Sequence, residues 1–275
     1  MKTPTVAFQG ELGAYSHEAA ELHFGGQLEP VAQRSFEDVF RAVESGATDL
    51  GIVPIENSLV GSIHRNYDLL LTSDLQVIAE QDLRIEHALI GQTGADESQI
   101  KAVCSHPVAL DQCRDYLAAR RLLQRAAYDT AGAVKDLRDS GDKNAAAVAS
   151  RYAASLYGME ILASGIQDEA DNFTRFLVLS RDPAKRCHNC KTSIVFALKN
   201  VPGALFKALS VFALRDLDLT KIESRPLRKK KWQYYFYLDF MGHYEDEAAR
   251  NAINHLGEIT SFLKILGSYP RQKSV

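Results

Sequence analysis

Apolar positions along the chain come in two rhythms. Short runs of strand length occupy Thr5–Phe8, Glu29–Gln33, Leu50–Pro54, Val77–Glu80, Lys101–Ser105, Ala145–Ala149 and Phe173–Leu179. Between them, stretches with helical spacing cover Tyr15–Phe24, Phe36–Glu44, Ile63–Leu71, Pro107–Ala119, Thr130–Asp139 and Arg151–Tyr157. Ser35, three residues before Asp38, and Asp129, before Thr130, have the side chains that close helix N-termini. Strand–helix alternation of this kind predicts an α/β fold with largely parallel sheets. Leu75–Ile90 is strand-like throughout, which suggests a crossover joining two lobes with a return at Gly165–Phe176.

The rhythm changes after Leu179. Residues 181–191 carry Arg181, Lys185, Arg186 and Lys191 with little to bury, as a linker does. A compact strand–helix–strand–strand–helix–strand series follows: Thr192–Leu198, Gly203–Leu214, Leu217–Glu223, Trp232–Phe240, Glu245–His255 and Phe262–Gly267. This is the ferredoxin-like βαββαβ order, an α+β unit. In Trp232–Phe240 the even positions are all apolar or aromatic, which predicts one buried sheet face. Lys229-Lys230-Lys231 reads as a solvated hairpin turn.

Length and charge narrow the picture. A chain of 275 residues suggests two domains, and 46% hydrophobic with 24% charged residues is ordinary for a globular protein in water. A net charge of −3 gives no general affinity for nucleic acid or anionic membrane, so neither is expected as a partner. The N-terminal stretch passes straight into a strand pattern, and a cytoplasmic location is the expectation. Cys104 and Cys113 sit in apolar contexts and read as reduced core residues. Cys187-His188-Asn189-Cys190 has metal-ligand spacing, but one C-x-x-C makes half a tetrahedral site, so a reduced linker is expected there.

The candidate chemistry gathers at four strand-to-helix junctions. These are Gly10–His17, with Tyr15, Ser16 and His17; Pro54–Ser62, with Glu56, Asn57 and Ser58; Ser105-His106-Pro107, with Gln112 further along; and Asn172–Phe176, with Thr174, Arg175 and Phe176. Helix N-termini present free N–H groups and a positive dipole end, so several converging ones suit a small carboxylate ligand. Glu56 is a candidate general acid if buried, or else a structural carboxylate. His17 sits in a motif, but a lone histidine at a helix start is more often a capping or packing residue. No G-x-S-x-G, Walker A, G-x-G-x-x-G or H-E-x-x-H pattern occurs, which disfavours hydrolase-elbow, nucleotide-cofactor and zincin chemistry.

The ordered set Gly10–Ala20, Ile52–Ser62, Ser105-His106-Pro107 and Thr174-Arg175-Phe176 resembles the prephenate dehydratase family, including the plant arogenate dehydratases. The resemblance covers nearly the whole chain. It implies a two-lobed, periplasmic-binding-protein-like α/β catalytic domain at 1–183, a linker at 184–191 and an ACT regulatory domain at 192–275. It also implies decarboxylative dehydration of prephenate to phenylpyruvate without metal or organic cofactor, a lyase reaction of phenylalanine biosynthesis. By that resemblance Thr174 assists the leaving hydroxyl; Arg175, with a guanidinium that can hold a carboxylate by two bonds, is the expected clamp. Asn57, Ser105 and Gln112 orient the substrate, with Tyr15, Ser16, His17, Glu56, Ser58 and Phe176 around it. Asn200, Gly203, Ala204 and Leu205, with Glu223, Ser224, Arg225 and Pro226, match the segments around an L-phenylalanine effector; Phe206 stands where the family often has Val. A homodimer or homotetramer inhibited by L-phenylalanine is the corresponding expectation. Arogenate as substrate, and a non-catalytic amino-acid sensor, remain as alternatives.

Overall fold

The computed structural model describes residues 3–226 and 233–272. Trp232 and the Lys229–Lys231 turn therefore lie outside the described residues. The chain falls into two compact units, Met1–Asn66 with Gln81–Phe176, and Tyr67–Glu80 with Leu177–Val275.

Beginning the chain are β1 (Thr5–Gln9), α1 (Tyr15–Phe24), β2 (Glu29–Gln33), α2 (Phe36–Glu44), β3 (Leu50–Asn57), β4 (Gly61–Ser62), α3 (His64–Thr72) and β5 (Gln76–Arg84). The second lobe holds β6 (Ala88–Gly91), β7 (Ala102–Ser105), α4 (Pro107–Asp111), α5 (Arg114–Ala119), β8 (Leu123–Ala126), α6 (Thr130–Ser140), β9 (Ala145–Ala149), α7 (Arg151–Tyr157) and β10 (Glu160–Ser164), and β11 (Phe173–Ser180) returns to the first sheet. That first sheet has the order β2-β1-β3-β11-β5 with β4 beside β3, and the second the order β10-β6-β9-β7-β8. Strands β1, β2 and β3 run parallel, as do β7, β8 and β9, while β6 and β10 are antiparallel additions. Two connections join the sheets, β5 to β6 and β10 to β11, at the places the strand-rich Leu75–Ile90 and the return at Gly165–Phe176 suggested. They are laced together: Ile85 N–H donates to Asn172 O at 2.8 Å and Ile166 N–H to His87 O at 3.1 Å.

The caps read from the sequence are present. Ser35 accepts from Asp38 N–H to start α2, and Asp129 accepts from Gly132 N–H to start α6. Before α1 the turn depends on glycine: Gly10 and Gly13 have φ of +110° and +92°, and a Cβ on Gly13 would lie 3.1 Å from Ala153 Cα. Where one helix was expected over Pro107–Ala119, two short ones form. Gln112 O accepts from Asp168 N–H at 2.8 Å instead of continuing the ladder, and the chain bends at Cys113. Cys113 is buried in the second-sheet core with Leu110, Leu117 and Val148, whereas Cys104 is only half-buried; both are free thiols.

In the second unit β12 (Cys190–Leu198), α8 (Ala204–Ala213), β13 (Leu219–Pro226), β14 (Tyr234–Met241), α9 (Glu247–Ile259) and β15 (Thr260–Pro270) form an antiparallel sheet of order β13-β14-β12-β15, the ferredoxin-like arrangement. Helices α8 and α9 cover one face, with Phe212, Ala252 and Leu256 packed on Ile194, Phe196, Leu238 and Phe240. The expectation of one buried face is corrected here. Every residue of β12 is buried, and so are Tyr237 and Asp239 of β14, because segment 67–80 belongs to this unit and packs on the opposite face. Tyr237 Oη donates to Tyr67 O at 2.8 Å, and Lys264 Nζ reaches the carbonyls of Leu70 and Leu71 at 3.1 and 3.2 Å. The expected linker is shorter at its C-terminal end. Cys190 already begins β12, and Lys191 is a buried ion pair with Glu80. Cys187 and Cys190 are joined as a disulfide in place of the expected reduced thiols.

Candidate active site

Parallel strands release their chains to helices at their carboxyl ends, and those ends are where open α/β sheets meet ligands. Gln9 at the end of β1, Asn57 at the end of β3, His106 after β7 and Tyr128 after β8 all line one cavity of about 560 Å³ within the first unit. The starts of α1, α2, α4 and α6 contribute Tyr15, Ser35, Val108 and Thr130 to the same wall. The starts of α1 and α4 are junctions that the sequence pointed to, whereas those of α2 and α6 were read there only as caps.

Of the expected catalytic and substrate residues, the structure brings together Thr174, Asn57, Gln112, Tyr15, Ser16 and Phe176. Thr174 is 7% exposed near the start of β11, whose first residue lies beside the end of β3 through Ser58 N–H donating to Phe173 O at 2.8 Å. Asn57 holds it. The Asn57 Oδ1 accepts from the Leu59 and Val60 N–H groups at 3.0 and 2.9 Å, which fixes which end of the amide faces β11. Its Nδ2 therefore donates to Thr174 Oγ1 at 3.0 Å and to Asn172 Oδ1 at 2.7 Å. Thr174 Oγ1 accepts from the protein, and among the described residues its own proton meets no acceptor.

Five expected residues are not at the cavity wall. Successive side chains of a strand point to opposite faces, so with Thr174 and Phe176 toward the cavity Arg175 points away. Its guanidinium meets Glu56 Oε1 at 2.9 Å and Asp82 Oδ1 at 3.4 Å, which corrects both the carboxylate clamp and the Glu56 acid. Ser105 is fully buried and spends its proton on Val148 O at 2.5 Å, tying β7 to β9 rather than orienting substrate. His17 is buried, stacked on Phe8, with Nδ1 accepting from Gly13 N–H at 3.0 Å; it is the packing residue of the turn. Ser58 braces the loop, donating to Asp171 O and accepting from Phe173 N–H at 3.0 and 2.9 Å.

Sequence reasoning missed His87, and left His106 and Asp129 as a motif residue and a cap. His87 lies where the chain crosses between the sheets. Its Nδ1 is 2.7 Å from Tyr15 Oη and its Nε2 2.8 Å from Gln112 Oε1. The signal was there, since His87 alternates with Ile85 and Leu89 while Arg84 and Glu86 take the alternate positions. Asp129 Oδ2 accepts from Glu11 N–H at 3.0 Å. His106 Nδ1 accepts from Val108 N–H at 3.3 Å, so a neutral His106 carries its proton on Nε2. Burial pushes the His87 and His106 imidazoles below their ordinary value, and burial with Glu18 nearby holds the Tyr15 phenol well above its own. Among the described residues lining the cavity, none is Lys or Arg. An anionic ligand is left to helix N-termini, imidazoles and neutral donors.

In the second unit Asn200, Gly203, Ala204 and Leu205 line a separate cavity of about 280 Å³, together with Phe206, Tyr234 and Phe236. Gly203 has φ +75° as the N-cap of α8, with no side-chain cap on the first N–H groups. Glu223, Ser224, Arg225 and Pro226 lie on the edge strand β13 and do not line this cavity; Arg225 donates to Asp68 Oδ1 at 3.1 Å.

Fold and site define a two-lobed α/β enzyme whose cleft lies at strand ends, carrying a ferredoxin-like unit. Residues 6–184 match the family model for prephenate dehydratase, and residues 192–258 that for the ACT domain. The chain belongs to the prephenate dehydratase family. It is 49% identical to Arogenate dehydratase/prephenate dehydratase 2, chloroplastic, of Arabidopsis thaliana, over 96% of this chain and 72% of that protein. The crystal structure of prephenate dehydratase in complex with L-Phe from Arthrobacter aurescens superposes with TM-score 0.88 at 29% identity, covering 98% of this chain and 92% of that one. A structure described as GqqA, a novel type of quorum quenching acylase, gives TM-score 0.89 at 34% identity over 98% of both chains.

Proposed function

We propose that the chain catalyses decarboxylative dehydration of prephenate to phenylpyruvate, with L-phenylalanine as feedback inhibitor. The electron pair of the bond to the ring carboxylate moves into the ring as carbon dioxide leaves. The C4–O bond breaks with its pair, and aromatisation drives both. The dianion thus yields the phenylpyruvate anion, carbon dioxide and hydroxide. The protein's task is to hold the dianion and stabilise the departing oxygen.

One observation carries this reading: Thr174 is a buried hydroxyl whose oxygen is satisfied by Asn57 and whose proton is kept for the cavity. A threonine hydroxyl is a weak acid near neutral pH, so it serves as a positioned donor to charge as it develops. The carboxylates then rest on helix N-termini, His106 Nε2–H and the Gln112 amide, in place of Arg175. Arogenate fits the same chemistry and has its support in the Arabidopsis relative's name. An acylase would need a nucleophile beside a base, and the amide next to Thr174 is not one.

Residues 1–183 would be the catalytic part and 192–275 the regulatory part. The cavity at Gly203 would take L-phenylalanine, whose carboxylate suits the uncapped N–H groups of α8, in a homo-oligomer of at least two chains. The Arthrobacter structure, solved with L-Phe, supports this. The test is ultraviolet detection of phenylpyruvate from prephenate, run beside phenylalanine formation from arogenate, with and without added L-phenylalanine. Turnover of neither substrate would overturn the reading.

A further inference from the structure

Tyr15, His87 and Gln112 form an unbroken hydrogen-bonded chain along the cavity wall, and its proton positions follow from what each atom can do. The Gln112 Oε1 only accepts, so the proton of its 2.8 Å contact sits on His87 Nε2. A neutral imidazole protonated there has a bare Nδ1, 2.7 Å from the Tyr15 hydroxyl, whose single proton also has Glu86 O within reach at 3.0 Å; the shorter contact to Nδ1 takes it while His87 is neutral. The backbone fixes the ring: His87 N–H donates to Gln167 Oε1 at 2.9 Å, and His87 O accepts from Ile166 N–H at 3.1 Å. His87 itself is 2% exposed.

We propose that His87 is a positioning residue, working as the neutral Nε2–H tautomer, that presents Tyr15 to the ligand purely as an acceptor and leaves both amide protons of Gln112 free to donate. The cavity wall then has a definite polarity, with a phenolic lone pair at Tyr15, two amide donors at Gln112 and, on the same cavity, the Thr174 hydroxyl. Protonating His87 would reverse one end of the chain. Nδ1–H would point at the Tyr15 oxygen, and the Tyr15 proton would turn to Glu86 O, 3.0 Å away. One acceptor lone pair would be lost and a cation placed in the wall.

The titratable neighbours are Tyr15 and Glu18 of α1, Glu86 in the segment between β5 and β6, Cys113 beside Gln112, and Asp168 in the segment between β10 and β11. Burial raises Tyr15 and Glu18 and pushes the Cys113 thiol up to about 12, so phenol and thiol stay protonated around neutrality. His87 is the member of this set whose ordinary value lies nearest neutrality.

This inference takes its ligand from the dehydratase reading, but its geometry stands apart from it. Two readouts separate the two. Nitrogen NMR of the full chain with labelled histidine should show His87 as the Nε2–H tautomer; an Nδ1–H tautomer at neutral pH overturns the proposal whatever the activity. In kcat/KM against pH, the wild type should show an acidic limb below the ordinary imidazole range. His87→Asn can accept from Tyr15 and donate to Gln112 but cannot be protonated. It should lose that limb while keeping activity within about tenfold, whereas His87→Leu should lose about 10- to 100-fold by stranding two buried polar groups. A limb unchanged in His87→Asn overturns the proposal. So does a His87→Leu variant that matches wild type; should that variant fail to fold, the asparagine profile and the tautomer still decide. Wild type inert toward both prephenate and arogenate would overturn the dehydratase reading, leaving the tautomer measurement to judge the chain.

Discussion

Two sets of buried hydroxyls near strand starts look alike in the sequence and behave oppositely in the structure. In the second unit Thr192 Oγ1 lies 2.6 Å from both Gly242 O and Ser268 Oγ, and Ser193 Oγ lies 2.6 Å from Asp239 Oδ1 and 2.7 Å from Tyr269 Oη. Beside them Lys191 is paired with Glu80, both under 7% exposed. Their donors and acceptors are consumed inside the protein, so this network holds a sheet together. In the first unit Thr174 is just as buried, yet its hydroxyl proton has no acceptor among the described residues. Burial and residue type do not separate structure from chemistry here. The balance of donors against acceptors does.

The largest effect expected from that contrast is on stability. Lys191→Met leaves the Glu80 carboxylate buried without its cation, and should cost about 3–5 kcal/mol in denaturant unfolding. A loss below about 1 kcal/mol would mean that the pair is not buried as described. Ser193→Ala removes a hydrogen-bond partner from both Asp239 and Tyr269 and should cost about 1–3 kcal/mol in the same assay, with kcat unchanged. A large fall in kcat without loss of stability would erase the distinction between the two regions.

Acid should divide the regions as well. Burial lowers His17, His23, His87 and His106, all in the first unit. A histidine whose folded value lies below its unfolded one binds fewer protons when folded, so stability is lost as pH falls from about 6.5 toward the lowered values. Glu18, raised by burial, works in the opposite sense at lower pH. Hydrogen exchange at pH 7 and pH 5.5 should show protection dropping first in the first unit; an earlier drop in the second would contradict the assignment. The smallest effect is expected at Arg175→Lys, a change of a few-fold at most in KM, since the guanidinium serves Glu56 and Asp82 outside the cavity. A tenfold rise would return Arg175 to the substrate.

Much of this was legible in the chain itself. Period-two and helical spacing located most strands and helices, Ser35 and Asp129 marked helix starts, and four polar junctions pointed to a cleft. What failed to show was direction. Motif membership put Arg175 and Thr174 side by side, and strand geometry sends them to opposite faces. Ser105 shares a motif with His106, but a hydroxyl's worth as a ligand depends on whether its proton is already spent, and Val148 O takes it. His87 escaped notice because it lies outside any helix start, in the connection between β5 and β6, whose partners come from distant parts of the chain. The packing of segment 67–80 in the second unit is likewise a long-range event that local spacing does not encode.

The central claim is that the Thr174 proton is the donor held for the departing hydroxyl. Thr174→Val tests it most directly, since it removes the hydroxyl and keeps the volume and branching of the side chain. Steady-state kinetics on whichever substrate the wild type converts should show kcat lowered by at least ~10²-fold at an unchanged melting temperature, and Thr174→Ser should recover much of the rate. A Thr174→Val enzyme within a few-fold of wild type would contradict the account and pass the leaving-group role to another group at the cavity wall.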